Sequence, residues 1–235
     1  MRSYWSLIGN DKYSIGCTGQ TVYLLNKQGI EIAKFKDLPY AYASGISPRG
    51  DLFVVKSTEG RLAVYSFSPA ELITKFRYSK VGGSQDDDFC FSSDGKKFYN
   101  IERHIDSTIT ALSVYDTKSF SLIKRVLDKD YSCVLTSIEY DAETETVFLL
   151  GFYRDEAGIA SEFFVGKLID DKLNDVVRVS EKEHDFYRDY LHLKMSGFTN
   201  KTFKWSYFDI ELEKLKVSDY SLAKLWNNNS SERLP

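Results

Sequence analysis

Cysteine is scarce in this sequence, which has only Cys17, Cys90 and Cys133 among its 235 residues. An odd number of widely spaced cysteines does not form a disulfide framework, and none of the three has the paired spacing of a zinc site. We therefore expect three reduced thiols, with neither a disulfide nor a metal bound through cysteine.

Long apolar runs and an excess of positive charge are also missing. No run approaches the roughly 20 residues that a membrane-spanning helix needs, and the N-terminal stretch MRSYWSLIGNDKYSIG lacks the apolar segment of a signal peptide. The 31 basic and 34 acidic side chains give a net charge of -3, whereas nucleic-acid binders usually carry a basic excess. The sequence thus predicts a cytoplasmic protein that binds neither nucleic acid nor membrane.

The apolar runs that are present are short and rich in strand-forming residues. From Asp51 to Phe76 the sequence reads DLFVVKSTEGRLAVYSFSPAELITKF, and runs of this length between glycine, serine and proline are typical of strands joined by turns. The preceding turn, SPRG at Ser47, returns as SSDG at Ser92. Each copy, with the residues before its turn, supplies four strands.

The same rhythm extends over the whole chain. A lone four-stranded sheet of this kind exposes two apolar faces, and stacking such sheets radially buries both of them. The sequence therefore predicts an all-β fold, a β-propeller of five four-stranded antiparallel blades in one domain, residues 1–235, with residues 227–235 frayed. Five basic–apolar pairs, 41 to 53 residues apart, mark the ends of the predicted blades: Lys34-Phe35, Lys75-Phe76, Arg125-Val126, Arg178-Val179 and Lys224-Leu225.

The second copy resembles a known repeat family. SSDGKKFYN followed by ITALSVYDTKSFSLIKRV is similar to the YVTN-type repeat of bacterial propellers, a relative of the WD repeat, whose Gly-His and Trp-Asp dipeptides are absent here. The resemblance implies that one turn joins the innermost strand to the second and that another joins the third to the outermost. It implies an architecture and no particular activity. The matching residues are Ser93, Asp94, Gly95, Lys96, Val114, Asp116 and Thr117, and in the first copy Ser47, Pro48 and Gly50.

Candidate catalytic motifs are few. A Ser-x-x-Lys pattern can pair a nucleophile with its base, but two of its three occurrences lie at equivalent places in the repeat and the other straddles a turn. Periodic occurrence on strands explains the pattern better than catalysis does. Neither a G-x-S-x-G elbow nor a P-loop is present, so we predict no catalytic residue. The three pairs are Ser93/Lys96, Ser121/Lys124 and Ser221/Lys224.

Two histidines lie in one acidic stretch. His184 and His192 belong to EKEHDFYRDYLHLK, and in a helix they would lie two turns apart, too far to chelate one ion. The alternation of Leu191, Leu193 and Met195 instead predicts the inner strand of a fifth blade. Because a metal site needs three or four converging ligands, we expect no metal and no cofactor.

The sharpest charge feature is the acidic run in SQDDDF, formed by Asp86, Asp87 and Asp88. It is either a solvated loop or a surface near the central channel that attracts a basic partner and raises its on-rate in a salt-sensitive way. Propellers carry their functional residues on such loops. We therefore predict a monomeric, non-catalytic module that binds a basic protein partner, for example an inhibitor or an immunity-type protein. The alternative is a hydrolase or lyase acting on a small molecule or sugar in the channel.

Overall fold

The computed structural model describes residues 3–78, 88–104, 109–127, 132–197 and 220–234. The chain divides into two compact units, Met1–Gln85 with Leu193–Leu212 and Asp86–His192 with Glu213–Pro235. Within the described residues there are four four-stranded antiparallel sheets, and in each of them the strands pair in chain order. The all-β prediction is therefore confirmed.

The first unit contains two of these sheets. Turns with a glycine in the left-handed conformation reverse the chain between strands, for example Gly29 (φ 75°) and Gly60 (φ 70°). Buried side chains from both sheets form one core, in which the rings of Phe53 and Tyr65 stack with their centroids 5.0 Å apart. The strands are β1 (Ser6–Gly9), β2 (Tyr13–Cys17), β3 (Val22–Asn26), β4 (Glu31–Phe35), β5 (Ala41–Ile46), β6 (Leu52–Ser57), β7 (Arg61–Phe67) and β8 (Ala70–Arg77).

The second unit contains the other two sheets and has its own core. Ile101 and Leu112 of one sheet pack with Leu149 and Phe164 of the other, and all four are fully buried. Helix α1 (Glu181–Met195) follows the last strand, and α2 (Leu222–Asn228) lies near the C-terminus. The strands are β9 (Phe89–Phe91), β10 (Lys97–His104), β11 (Ile109–Asp116), β12 (Leu122–Val126), β13 (Cys133–Asp141), β14 (Thr146–Arg154), β15 (Ala160–Ile169) and β16 (Lys172–Val179).

The repeated turns have the same hydrogen bonds in both copies. The amide of Gly50 donates to the carbonyl of Ser47 at 2.8 Å, and that of Gly95 donates to the carbonyl of Ser92 at 2.9 Å. Both glycines have positive φ, 67° and 65°. A glycine in the left-handed conformation therefore completes each of the two turns.

We expect Gly95→Val to lower the free energy of unfolding by about 1 kcal/mol or more, because a β-branched residue is strained at positive φ. Lys96→Val, at the exposed next position, is the matched control and should have a smaller effect. Urea unfolding of both variants measures the difference. Equal losses would show that the backbone conformation of Gly95 is not the cause.

The strand predicted from Tyr190 is wrong, because these residues belong to α1. The helix begins at a capping box: the Ser180 hydroxyl accepts from the amide of Glu183 at 3.2 Å, and the Glu183 carboxylate accepts from the amide of Ser180 at 2.9 Å. These bonds satisfy amides that a helix start leaves without partners. Lys224 and Leu225, predicted to close a strand, lie in α2. Residues 198–219, between α1 and α2 in the sequence, lie outside the described residues.

The C-terminal segment has main-chain partners in β16. The amide of Arg178 donates to the carbonyl of Glu232, and the amide of Leu234 donates to the carbonyl of Val176, both at 2.8 Å. Residues 232–234 therefore lie along the edge of this sheet, although the sequence predicts fraying from residue 227. All three cysteines are free thiols. No helix among the described residues has the length and apolar character needed to cross a bilayer.

Candidate functional site

Trp5 and Tyr40 are the exposed aromatic side chains in the part of the chain that the structure describes, at 54% and 51% exposure. Each directly precedes the first strand of a sheet, Trp5 before β1 and Tyr40 before β5. Aromatic side chains normally bury most of their large apolar area. Two of them left exposed in one unit mark a candidate interaction surface.

Backbone hydrogen bonds bring the two aromatic residues together. The indole nitrogen of Trp5 lies 3.6 Å from the point that a Cβ atom on Gly19 would occupy. Gly19 and Ala41 exchange two main-chain hydrogen bonds of 3.0 and 3.1 Å, and Ala41 is the neighbour of Tyr40. Gly19 has a φ of +83°, a conformation that suits glycine. Trp5, Gly19 and the Tyr40–Ala41 pair are therefore contiguous.

Tyr40 is held in an unfavourable backbone conformation. Its φ is 55°, which is uncommon for a residue other than glycine, asparagine or aspartate and costs about 1 kcal/mol or more. The amide of Thr58 donates to its carbonyl at 3.2 Å, and the Ser57 hydroxyl donates to the Pro39 carbonyl at 2.6 Å. Leu38, 1% exposed, anchors the same loop in the core. The loop thus fixes the position of Tyr40.

A carboxylate lies in the same loop. Asp37 is partly buried and makes no hydrogen bond or ion pair with any described residue. The pKa of Tyr65 is raised well above its ordinary value, mainly by burial and to a smaller extent by the negative charges of Asp37 and Cys17. The hydroxyl of Tyr65 is buried without a hydrogen-bond partner in the described structure. Asp37 follows β4 and precedes Tyr40 by three residues in the sequence. We call Trp5 and Tyr40 the aromatic surface.

The predicted acidic run is only partly within the described residues. Asp86 and Asp87 lie outside them. Asp88 precedes β9, and its carbonyl accepts from the amide of Ile101 at 3.0 Å. Because Asp88 is only 4% exposed, its side chain offers little surface to a partner.

One residue of each Ser-x-x-Lys pair has a clear structural contact. The ammonium of Lys96 lies 3.2 Å from the Asp94 carboxylate, and that of Lys124 pairs with Asp171. The Ser221 hydroxyl accepts from the main-chain amide of Lys224 at 3.2 Å and caps α2. In two of the pairs the lysine thus forms an ion pair with a carboxylate, and in the third the serine caps a helix.

The structure separates the two predicted histidines. His184 is 1% exposed, and its Nε2 lies 3.0 Å from the hydroxyl of Thr136 and its Nδ1 3.1 Å from the carboxylate of Asp185. Burial, which outweighs the hydrogen bond that the imidazole donates to Asp185, lowers the pKa of His184 to about 4. His192 lies two turns further along α1 and is partly exposed. Among the described residues, no three His, Cys, Asp or Glu side chains lie together in a way that could hold a metal ion.

A buried ion pair that sequence reasoning missed connects β10, β11 and β12. The Glu102 carboxylate, 2% exposed, accepts from Arg125 at 3.1 Å and from the Tyr115 hydroxyl at 2.5 Å. The side-chain amide of Asn100 donates to the same carboxylate at 3.2 Å. Burial, followed by the charge of Glu102, raises the pKa of Tyr115 well above its usual range. The cluster thus links three neighbouring strands of one sheet through side-chain contacts.

A cleft of 320 Å³ lies between the β13–β14 hairpin and α2. One of its two aromatic residues, Trp226, already has partners: the Lys167 ammonium lies 3.5 Å from the centre of its ring, and its indole nitrogen donates to the Asp175 carbonyl at 2.5 Å. One face of the indole is therefore covered. The charged residues that line the cleft are Asp141, Glu143, Lys167 and Lys224.

Comparison with known proteins identifies a fold and no family. No family model matches the chain, and no curated protein matches it either. Among solved structures, hydrazine synthase of Kuenenia stuttgartiensis is similar, with a TM-score of 0.58 and 16% sequence identity. The match covers 72% of this chain and 51% of that one, so this chain spans about half the length of the matched chain. At this identity the likeness shows a β-propeller-type fold alone.

Proposed function

We propose that the protein is a non-catalytic β-propeller module that binds a protein partner through the aromatic surface. The observation that carries this proposal is the exposure of Trp5 and Tyr40, 54% and 51%, on neighbouring backbone segments. Tryptophan and tyrosine are enriched among the residues that dominate binding energy, because they bury a large rigid area and offer a polar tip.

The local structure supports a binding role for these side chains. Gly19 and Ala41 join the two backbone segments by reciprocal hydrogen bonds, and the strained conformation of Tyr40 is fixed by its loop. A site whose backbone is already fixed loses less conformational entropy when a partner binds. Strained residues held in place by their surroundings are common at binding sites.

The remaining features of the proposal rest on the sequence. We propose a basic partner, attracted in part by Asp86 and Asp87, and a role as an inhibitor or immunity-type protein. A fifth blade, a monomeric state, a cytoplasmic location and kinship with YVTN-type repeats are predictions of the same kind. Asp88 is left out of the binding surface because it is buried.

The proposal is tested by comparing proteins recovered with tagged variants from the native cells. Trp5→Ala/Tyr40→Ala should abolish recovery of the partner. Ile30→Ala/Ile73→Ala, which truncates two other exposed side chains of the same unit, at 62% and 52% exposure, should not. With the purified partner, calorimetry should show a loss of affinity of about 100-fold or more for the aromatic variant. Equal recovery by all variants, or turnover of a small molecule by the purified chain alone, would refute the proposal.

A further inference from the structure

We infer that the outer edge of β16 is a binding site for an extended segment of a partner protein, and that residues 232–234 of this chain occupy it. This site is distinct from the aromatic surface, which belongs to the first unit, whereas β16 and residues 232–234 belong to the second. Main-chain hydrogen bonds, the burial of one side chain and the attachment of the occupying segment lead to this assignment.

The main-chain groups of the edge already bind a peptide segment. The outermost strand of a sheet leaves the N–H and C=O groups of one edge open to a further strand, and β16 is outermost in its sheet. The amide of Arg178 donates to the carbonyl of Glu232 at 2.8 Å. The amide of Leu234 donates to the carbonyl of Val176, also at 2.8 Å, and an antiparallel bridge lies between the two bonds. Among the described residues, the outermost strands β4, β8 and β12 have no such bridge.

One side chain of the occupying segment contacts the core. Leu234 is partly buried and packs against the hydrophobic core of the second unit, as Leu173 and Val176 of β16 do. Glu232 and Arg233 are exposed. When a strand is added to a sheet, main-chain bonds supply affinity and the pockets for side chains supply specificity. The site therefore fits an extended segment that carries leucine or a similar apolar residue in the place of Leu234.

The occupying segment is held separately from the helix that precedes it. Helix α2 buries Leu222 and Leu225, at 0% and 2% exposure, and the indole of Trp226 donates to the carbonyl of Asp175 at 2.5 Å. Residues 230–233, in contrast, are exposed. A segment with few buried contacts opens more readily than the sheet on which it lies. Its release leaves β16 paired with β15 and the outer edge of β16 open.

The link to α2 makes residues 232–234 an internal competitor of the partner. A tethered segment acts at an effective concentration on the order of millimolar, so a segment of another protein has to bind more tightly than the chain's own residues to displace them. We therefore expect the edge to bind a free peptide weakly in the unaltered chain and more tightly once the internal segment is removed.

The test uses a chain that ends at Asn229 and the labelled peptide acetyl-SSERLP-amide, which has the sequence of residues 230–235. Fluorescence anisotropy measures the affinity, and the amide signal of Arg178 in ¹⁵N-resolved NMR spectra reports binding at the edge. The shortened chain should bind the peptide saturably, and the unaltered chain should bind it at least about tenfold more weakly. Leu234→Asp in the full chain is a second open form, because a carboxylate is costly to bury against the core, and it should also bind the peptide.

Altered peptides separate the main-chain bonds from the side chain. Methylation of the leucine nitrogen removes the donor to Val176 and should weaken binding about tenfold. Replacement of the leucine by aspartate should abolish binding. Replacement of the arginine by alanine is the matched control and should leave the affinity nearly unchanged, because Arg233 is exposed.

Hydrogen exchange in the unaltered chain tests the release of the segment without any substitution. The amide of Arg178 should exchange faster than that of Leu149, a fully buried residue of β14 in the same sheet. The reason is that the bond from Arg178 opens with the segment, whereas Leu149 is exposed only when the sheet opens.

Three results would overturn the inference: no saturable binding by the shortened chain and Leu234→Asp when their thermal midpoints show that they fold, equal binding of the methylated peptide, or equal exchange of the two amides. A dimer of the unaltered chain that Leu234→Asp converts to a monomer would assign the edge to a second copy and would also overturn it. These results differ from failure of the proposed function, which is tested with Trp5→Ala/Tyr40→Ala while residues 230–235 are intact.

Discussion

Arg125→Ala is expected to lower the free energy of unfolding by about 3 kcal/mol or more, since it leaves the Glu102 carboxylate buried without its positive partner. Glu102 is 2% exposed, and Arg125 contacts it at 3.1 Å. The remaining donors, Tyr115 and Asn100, supply hydrogen bonds but no charge. The loss is measured as the change in free energy of unfolding in urea.

The comparison variant is Arg125→Ala/Glu102→Gln, which removes both charges. A neutral amide costs less to bury than an unpaired carboxylate, so the double variant should recover part of the lost stability. Arg178→Ala is the surface control, because its ion pair with Glu162 is half exposed and exposed pairs contribute little. Equal effects of Arg125→Ala and Arg178→Ala would show that burial of Glu102 does not govern this cluster.

The second large effect is a loss of stability in acid that originates at His184. Its pKa is lowered from the ordinary 6.5 to about 4 in the folded protein, so the unfolded chain takes up the proton first. His184 therefore contributes stability that is fully present above pH 6.5 and is lost as the pH falls towards 4. A shift of this size corresponds to about 3 kcal/mol.

The surroundings of His184 explain why protonation is unfavourable. The ring centroids of Phe163 and Phe152 lie 4.9 and 5.9 Å from that of the imidazole. A protonated imidazole would therefore lose its hydration without gaining equivalent polar contacts from these rings. Arg188, whose guanidinium pairs with Asp185 at 3.0 Å, adds like-charge repulsion. The carboxylate of Asp185 acts in the opposite direction, but burial outweighs it.

The measurement is the free energy of unfolding in urea at intervals between pH 7 and 4. His184→Gln should flatten the decline over this window, whereas His192→Gln, on the same helix, should leave the contribution of His184 in place. If the free energy of unfolding declines equally between pH 7 and 4 in the wild-type protein and in His184→Gln, this account is contradicted.

The sheets and their turns could be predicted because their signals are local. The turns at Ser47 and Ser92 close through hydrogen bonds within a few residues, and the glycines that permit them are visible in the sequence. The sequence of helix α1 also contains local helix signals, but they overlap with an alternation of apolar residues that is typical of a strand. Ser180 and Glu183 form a capping box. The buried residues Tyr187, Tyr190 and Leu191 follow the i, i+3, i+4 spacing of a helix. The alternation of Leu191, Leu193 and Met195 was compatible with both structures.

The aromatic surface could not be predicted, because exposure is a property of the folded chain. Trp5 and Tyr40 lie beside strand-forming sequences, where aromatic residues are usually core residues. Their proximity depends on the bridge between Gly19 and Ala41, two residues far apart in the sequence. Likewise, Asp88 is part of a charge run, but its burial depends on packing around β9.

The most direct test of the central claim is photo-crosslinking from position 40 in the native cells. A benzophenone amino acid replaces Tyr40 in one variant and Ile73, an exposed residue of β8 in the same unit, in the other. Mass spectrometry identifies what each variant captures. Binding through the aromatic surface predicts one protein crosslinked reproducibly from position 40 and absent from position 73, with crosslinking lost when Trp5→Ala is added. The same proteins captured from both positions, or none from position 40, would contradict the claim.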